Sequence, residues 1–139
     1  MKRSILGFRG NYRFLSNFYI EPDGTHVEGE YQAQKCSTPG ARIVFMARGL
    51  SPVRAQRAGR TVTLRRDWEQ VKDNIMYELV CQKFFDHESL ADRLIATDGY
   101  ELVEANNWGD RYWGRVNGEG LNKLGEILMI VRAELMEGS

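Results

Sequence analysis

Cysteine, histidine and proline are all scarce in this 139-residue chain, with two, two and three copies respectively. Cys36 and Cys81 have no CxxC spacing around them, which removes both a disulfide framework and a zinc knuckle from the expected folds. His26 and His87 form no HxxxH pair, so a His/Cys metal centre is not expected and no metal is assigned. No apolar run approaches the length of a membrane span, and the opening MKRSILGF lacks the apolar stretch of a signal peptide. The expected setting is reducing cytosol with no membrane partner. Internal repeats, low-complexity tracts and linkers are missing as well. The length suits one domain, residues 1–139, and the apolar and charged fractions of 42% and 27% are those of an ordinary globular protein.

Standard nucleotide loops are also lacking. Gly109–Gly114 is followed by Arg115-Val116 and Gly120–Gly125 by Glu126-Ile127, so neither carries the Lys-Ser/Thr of a P-loop. Gly118-x-Gly120 has no strand directly before it and no third glycine at the required place, which excludes a dinucleotide fingerprint. Without a GxSxG elbow, a Ser-His-Asp hydrolase is poorly supported. Net charge is zero, yet acids are missing from one long stretch. Between Tyr31 and Arg66 there is no Asp or Glu, while Lys35, Arg42, Arg48, Arg54, Arg57, Arg60, Arg65 and Arg66 are all cationic. Guanidinium forks match phosphate oxygens, so this stretch favours a phosphate-bearing partner over a merely solvated helical face.

What the chain has in quantity is concentrated in Glu104–Gly125, which holds two tryptophans, a tyrosine and five glycines directly before an apolar helical pattern. An indole left in water exposes a large apolar surface, so Trp108 and Trp113 read either as walls of a flat slot or as plugs over the core. Around this segment the patterns predict a helix-rich α+β fold with a few short strands. Ser4–Phe8 and Tyr12–Phe14 read as brief strands, and Pro22-Asp23-Gly24 as the turn of a small hairpin. Helices are expected from about Gly29 to Lys35, over Ala41–Arg48, and from Ser51-Pro52 (N-cap, then Pro at the first helical position) to a stop at Gly59. Asp67, with Gln70 three residues on, opens a longer helix whose buried stripe is expected at Val71, Ile75, Leu79 and Lys83-Phe84. Glu88–Ala96 is a further helix and Glu101–Ala105 a strand. Leu124, Ile127, Leu128, Val131 and Leu135 mark a final amphipathic helix.

The groups that remain for chemistry are carboxylates beside aromatics and amides. Glu30 sits in the first turn of its predicted helix, where the macrodipole favours an anion suited to acting as a base or stabilising a developing positive charge. Plain charge complementarity with the helix end is its simpler role. Asp67 reads foremost as an N-cap. Asp110 lies between the two tryptophans, where a carboxylate is open to desolvation and tuning; Glu104 is a weaker counterpart. Lys35, one turn beyond Glu30, is placed to pair with it, to bind phosphate, or to act as an amine nucleophile if its pKa is lowered.

Together with their order and spacing, several stretches resemble the NADAR family, also called YbiA-like. They are Phe14-Leu-Ser-Asn-Phe-Tyr19, Glu30-Tyr-Gln-Ala-Gln-Lys35, Gly59-Arg60, Arg66-Asp67-Trp68-Glu69, Leu102-Val-Glu104, Asp110 with Trp113-Gly114, and Gly118-x-Gly120-x-Asn122-x-Leu-Gly125. One departure is Gly29, where many relatives carry Ser or Thr. The resemblance implies a helix-rich α+β fold and hydrolysis of an N-glycosidic bond to a ribose carrying phosphate. Two substrates are implied: a ribosylamino-pyrimidine phosphate of riboflavin synthesis, and ADP-ribose on a guanine base of nucleic acid. It implies Glu30 as the principal catalytic carboxylate and Lys35 in an amine role at the sugar carbon; the chemistry of the residues adds Asp110 as the donor of the proton that the leaving base must gain, if it is buried among the indoles. Ser16, Asn17, Phe18, Arg60, Trp68, Trp113, Gly114 and Asn122 are the implied substrate-binding positions, and no cofactor is required. A non-catalytic module binding ADP-ribose or NAD, and a nucleic-acid-associated protein, are the competing readings.

Overall fold

The computed structural model describes residues 3–46 and 49–138. These residues form a helix-rich α+β structure with one small sheet, as the sequence predicts. Two compact units make it up: one is Asn17–Leu79, the other joins the residues up to Ser16 with those from Val80 onward. Among the described residues no helix is long and apolar enough to cross a membrane.

In the Asn17–Leu79 unit the predicted turn at Pro22-Asp23-Gly24 is present. Gly24 takes φ +89°, the Glu21 N–H donates to the Thr25 carbonyl at 2.8 Å, and Asp23 Oδ1 accepts from the Thr25 hydroxyl at 2.7 Å. No hairpin flanks it, because the residue beyond the turn is taken for another purpose. His26 caps α1 (Val27–Lys35), its Nδ1 accepting from the Gly29 N–H at 2.9 Å while Nε2–H donates to the Leu50 carbonyl at 2.8 Å. A Cβ at position 29 would stand 2.6 Å from the His26 Cε1 atom, so the ring that supplies the cap also demands glycine there. The short helix α2 (Pro39–Arg42) tightens into a 3-10 turn, Ile43–Met46, where one helix over Ala41–Arg48 is expected; Ala47 and Arg48 lie outside the described residues.

Helix α3 (Pro52–Gly59) starts as its sequence requires, with Ser51 Oγ accepting from the Arg54 N–H at 3.2 Å. It packs on α1 around Ala33, Cys36, Phe45 and Ala55. Gly59 does more than end the helix: a Cβ there would overlap the Gln32 side-chain amide of α1, so the close approach needs a glycine. Beyond α3 the chain runs back along the end of α1. Cys36 and Leu64 form an antiparallel bridge, and the Arg65 N–H donates to the Lys35 carbonyl at 2.9 Å.

Helix α4 (Trp68–Asp86) begins in this unit and ends in the other. Asp67 opens it through its carbonyl, which accepts from Gln70 N–H at 3.0 Å and Val71 N–H at 3.1 Å, while its carboxylate holds the Arg65 guanidinium. The helical period is as predicted and Lys83-Phe84 is buried as expected, but upstream the phase is one residue off. Val71, Ile75 and Leu79 are half-buried, and the buried line is Trp68, Met76, Val80, Lys83 and Phe84. Apolar residues occupy both neighbouring lines of this helix, so spacing alone does not choose between them.

In the other unit, β1 (Arg3–Leu6) pairs in parallel with β2 (Tyr100–Val103), Ile5 opposite Leu102. The predicted strand at Tyr12–Phe14 is instead part of a 3-10 helix, Gly10–Leu15. Phe14 and Leu15, at the end of that turn, are both buried. Arg93 of α5 (Glu88–Ile95) holds this turn, donating to the Asn11 carbonyl at 3.0 Å with its guanidinium 4.1 Å from the Phe14 ring centre. Helix α6 (Lys123–Glu137) packs against β2 and α5 through Leu124, Ile127, Leu128 and Val131 as expected, with Leu135 only half-buried. Arg132 is buried as well. Its Nη1 donates to the carbonyls of Thr97 and Tyr100, both at 2.9 Å, and fixes the turn before β2.

Candidate active site

The segment between β2 and α6 is ordered by short polar side chains that serve as backbone partners. Asn106 is its hub: Nδ2 donates to the carbonyls of Asp110 at 2.9 Å and Glu104 at 3.1 Å, and Oδ1 accepts from the Asp110 N–H at 3.0 Å. Asp110 Oδ1 in turn accepts the N–H groups of Tyr112 at 3.0 Å and Trp113 at 2.9 Å. The chain then returns alongside Glu104, whose carbonyl accepts the Arg115 N–H at 2.9 Å. Gly114 sits in this crossing. A Cβ there would overlap the Glu104 carbonyl oxygen and lie 2.9 Å from Glu104 Cγ.

Asn122 locks the segment from below. It is fully buried at φ +53°, its Oδ1 accepting the Glu104 N–H and its Nδ2 donating to the Leu102 carbonyl, both at 2.9 Å. Asn122, expected as a polar anchor for substrate, is engaged here through both ends of its amide with β2 and the residue after it. Gly114 is likewise buried, and its contribution is room for the crossing. The two indoles differ. Trp108 is 65% exposed, whereas Trp113 is half-buried, edge-on to Tyr112 with ring centres 4.9 Å apart.

The two carboxylates of the segment have opposite surroundings. Burial pushes Glu104 up to about 7, the negative charge of Asp110 adds to the rise, and Arg9 opposes it. Desolvation falls on Glu104, the weaker of the two candidates that the sequence offers. The Asp110 carboxylate accepts two backbone N–H groups, from Tyr112 and Trp113. Only a tertiary environment separates them; both read from sequence as acids next to aromatics.

In the Asn17–Leu79 unit, Glu30 occupies the first turn of α1 as predicted and is half-buried, its N–H donating to the His26 carbonyl at 3.2 Å. Tyr31 brings two other expected residues together: the Lys35 ammonium lies 5.6 Å from its ring centre and the Trp68 ring 5.1 Å on. Trp68 is 5% exposed and is packed as a core side chain. Burial lowers the Lys35 pKa, with Glu28 and Cys36 opposing and Lys72 reinforcing. Glu28 is the residue that sequence reasoning missed. It is buried, accepts from Gln32 Nε2 at 2.9 Å, and lies two helical turns before Lys35, a spacing that places both on one face. Asn17 is half-buried, donating to Met76 Sδ at 3.5 Å and accepting the Glu28 N–H at 3.0 Å; Phe18 beside it is also half-buried. Ser16, in the other unit, accepts the buried Lys83 ammonium on its carbonyl at 3.0 Å. Of the basic stretch, Arg54, Arg57, Arg60 and Arg66 are exposed, Arg65 is tied to Asp67, and Arg42 donates to the Cys36 carbonyl at 3.4 Å.

Comparison with known proteins agrees with this arrangement of motifs. The family model described as NADAR domain matches residues 8–136. N-glycosidase Npun_R5314 of Nostoc punctiforme is 41% identical, over 89% of this chain and 86% of its own. The chloroplastic riboflavin biosynthesis protein PYRR of Zea mays is 39% identical over 79% of this chain, which spans 19% of that longer protein. The NMR structure of the E. coli protein YbiA superposes with a TM-score of 0.83 at 35% identity, covering 99% of this chain and 88% of that one. The chain therefore belongs to the NADAR family.

Proposed function

We propose that this enzyme, an N-glycosidase, hydrolyses the bond between a nitrogen and C1 of a ribose that carries phosphate, with a ribosylamino-pyrimidine phosphate as the substrate class. The observation that carries the phosphate is the acid-free stretch from Tyr31 to Arg66, whose Arg54, Arg57, Arg60 and Arg66 stand exposed. Relatives named for riboflavin biosynthesis support the pyrimidine side. C–N cleavage develops positive charge on the sugar ring, as O-glycoside cleavage does, and a carboxylate that stays ionised stabilises it. Glu30 is assigned that role, since a first-turn position favours the anion. Lys35, with its lowered pKa, is assigned to the phosphate or, as free amine, to the sugar carbon.

The test is base release from phosphorylated and dephosphorylated ribosides. Glu30→Gln is expected to lower kcat by about 10²-fold or more, with ligand affinity kept; normal turnover removes Glu30 from the mechanism. Replacing Arg54, Arg57 and Arg60 together with Ala is expected to raise KM for the phosphorylated substrate alone, and equal losses on both reject the phosphate role. The same exposed arginines support a second reading, ADP-ribose on a guanine base of nucleic acid. That reading requires affinity that falls steeply with salt, which a small metabolite shows less strongly.

A further inference from the structure

We propose that the cavity at the start of β2 is a second ligand site, which takes an aromatic base carrying phosphate, either as a free nucleotide or as one unit of a single strand. It lies wholly in the unit that joins the residues up to Ser16 with those from Val80 onward. Tyr100 opens β2, so the cavity stands at the opposite end of that strand from the Glu104–Gly125 segment, and it does not depend on the N-glycosidase reading. Its volume of about 360 Å³ falls in the range of small-molecule pockets. Ile5 of β1, Tyr12 and Phe14 of the 3-10 turn, Arg93 of α5, Ala96 just after it and Tyr100 line the cavity.

The lining supplies a partner for each half of such a ligand. Arg93 pairs with no carboxylate among the described residues. Its guanidinium stands 4.1 Å from the Phe14 ring centre and donates to the Asn11 carbonyl at 3.0 Å. Those two contacts fix the plane of the group and leave most of its N–H donors unspent and its charge uncompensated, as a phosphate requires. No Asp or Glu lines the cavity, and none occurs from Arg3 to Ile20, where Arg3, Arg9 and Arg13 are all exposed. For the base there are two phenol rings. Tyr12 is 39% exposed and its hydroxyl makes no hydrogen bond among the described residues, while the half-buried Tyr100 accepts from Arg3 Nη1 at 3.4 Å. Exposed rings beside cationic groups stack bases of any sequence. The Asn11 side-chain amide, also without a partner among the described residues, offers a donor and an acceptor to a base edge. The wall is firm on the β2 side, where buried Arg132 ties the Thr97 and Tyr100 carbonyls.

The experiment titrates the full chain with AMP, adenosine, inorganic phosphate and a short single-stranded oligoadenylate, following backbone amide shifts by NMR so that binding here is told from binding elsewhere. AMP is expected to shift the amides of Tyr12, Arg93 and Tyr100 together, with adenosine and phosphate each binding there at least about tenfold more weakly. Tyr12→Ala is expected to weaken AMP at these amides by about 5- to 150-fold, the range for loss of one base–aromatic stack. Arg93→Gln is expected to weaken AMP by about 10- to 150-fold and to leave adenosine unchanged. An oligoadenylate that binds more tightly than AMP, with affinity falling steeply as salt rises, assigns the site to a strand; affinity no better than that of AMP assigns it to the free nucleotide. No shift at these amides with either probe at millimolar concentration overturns the proposal, as does AMP affinity there that survives Tyr12→Ala. Arg93 also holds the 3-10 turn, so if its variant does not fold, adenosine binding there as tightly as AMP to wild type overturns the phosphate half instead.

Discussion

Replacement of Asn122 by alanine probes the piece of the fold on which the loop depends most. The side chain makes two buried hydrogen bonds of 2.9 Å, to the Glu104 N–H and the Leu102 carbonyl. With the amide gone both backbone groups are left buried and unpaired, at about 1–3 kcal/mol each. Alanine must also adopt φ +53°, which costs a β-carbon-bearing residue about 1–2 kcal/mol. The expected loss is about 3–8 kcal/mol, a large share of the ~5–15 kcal/mol that holds a typical domain together. Tm falls by roughly 10–25 °C on the scaling for a chain of this length. Asn122→Gly separates the contributions, because it removes the same hydrogen bonds but tolerates the left-handed backbone, and it is expected to be more stable than Asn122→Ala by about 1 kcal/mol. Urea titration followed by circular dichroism measures both, and amide hydrogen exchange at Glu104 reports the local bond directly. An alanine variant within about 1 kcal/mol of wild type, with Glu104 exchange unchanged, refutes the account of Asn122 as the lock of this segment.

Two further outcomes test other parts of the structure. Glu104 has a pKa of about 7 in the folded chain against an ordinary 4.5, so below the lower value both states carry the proton, between the two only the folded state does, and above 7 neither does. Stability contributed by this group is therefore lost as pH rises from about 4.5 to 7, and Glu104→Gln is expected to gain on wild type in urea titrations across that window; parallel pH profiles refute it. Gly29→Ser, although serine caps helices well, is expected to lower stability by about 1–3 kcal/mol in thermal denaturation, because its Cβ enters the space of the His26 ring; a gain in Tm refutes the ring as the cap.

Much of the chain was legible locally. Ser51-Pro52 starting α3, Asp67 ahead of α4, the turn at Pro22-Asp23-Gly24 and the α6 stripe all follow from interactions that span only a few residues, and those are written in neighbouring letters. The family motifs were legible for the same reason, as was the weight of Glu104–Gly125, where glycines and indoles crowd together. Tertiary contact decided the rest. Arg3–Leu6 finds its partner in Tyr100–Val103, almost a hundred residues on, and no local pattern names that pairing. Gly10–Leu15 became a 3-10 turn because Arg93 and the core claim two adjacent side chains. The raised pKa of Glu104 is of the same kind. A carboxyl group's affinity for its proton depends on how much water and how many N–H donors surround it, and those neighbours are assembled only when the segment closes over Asn106 and Asn122.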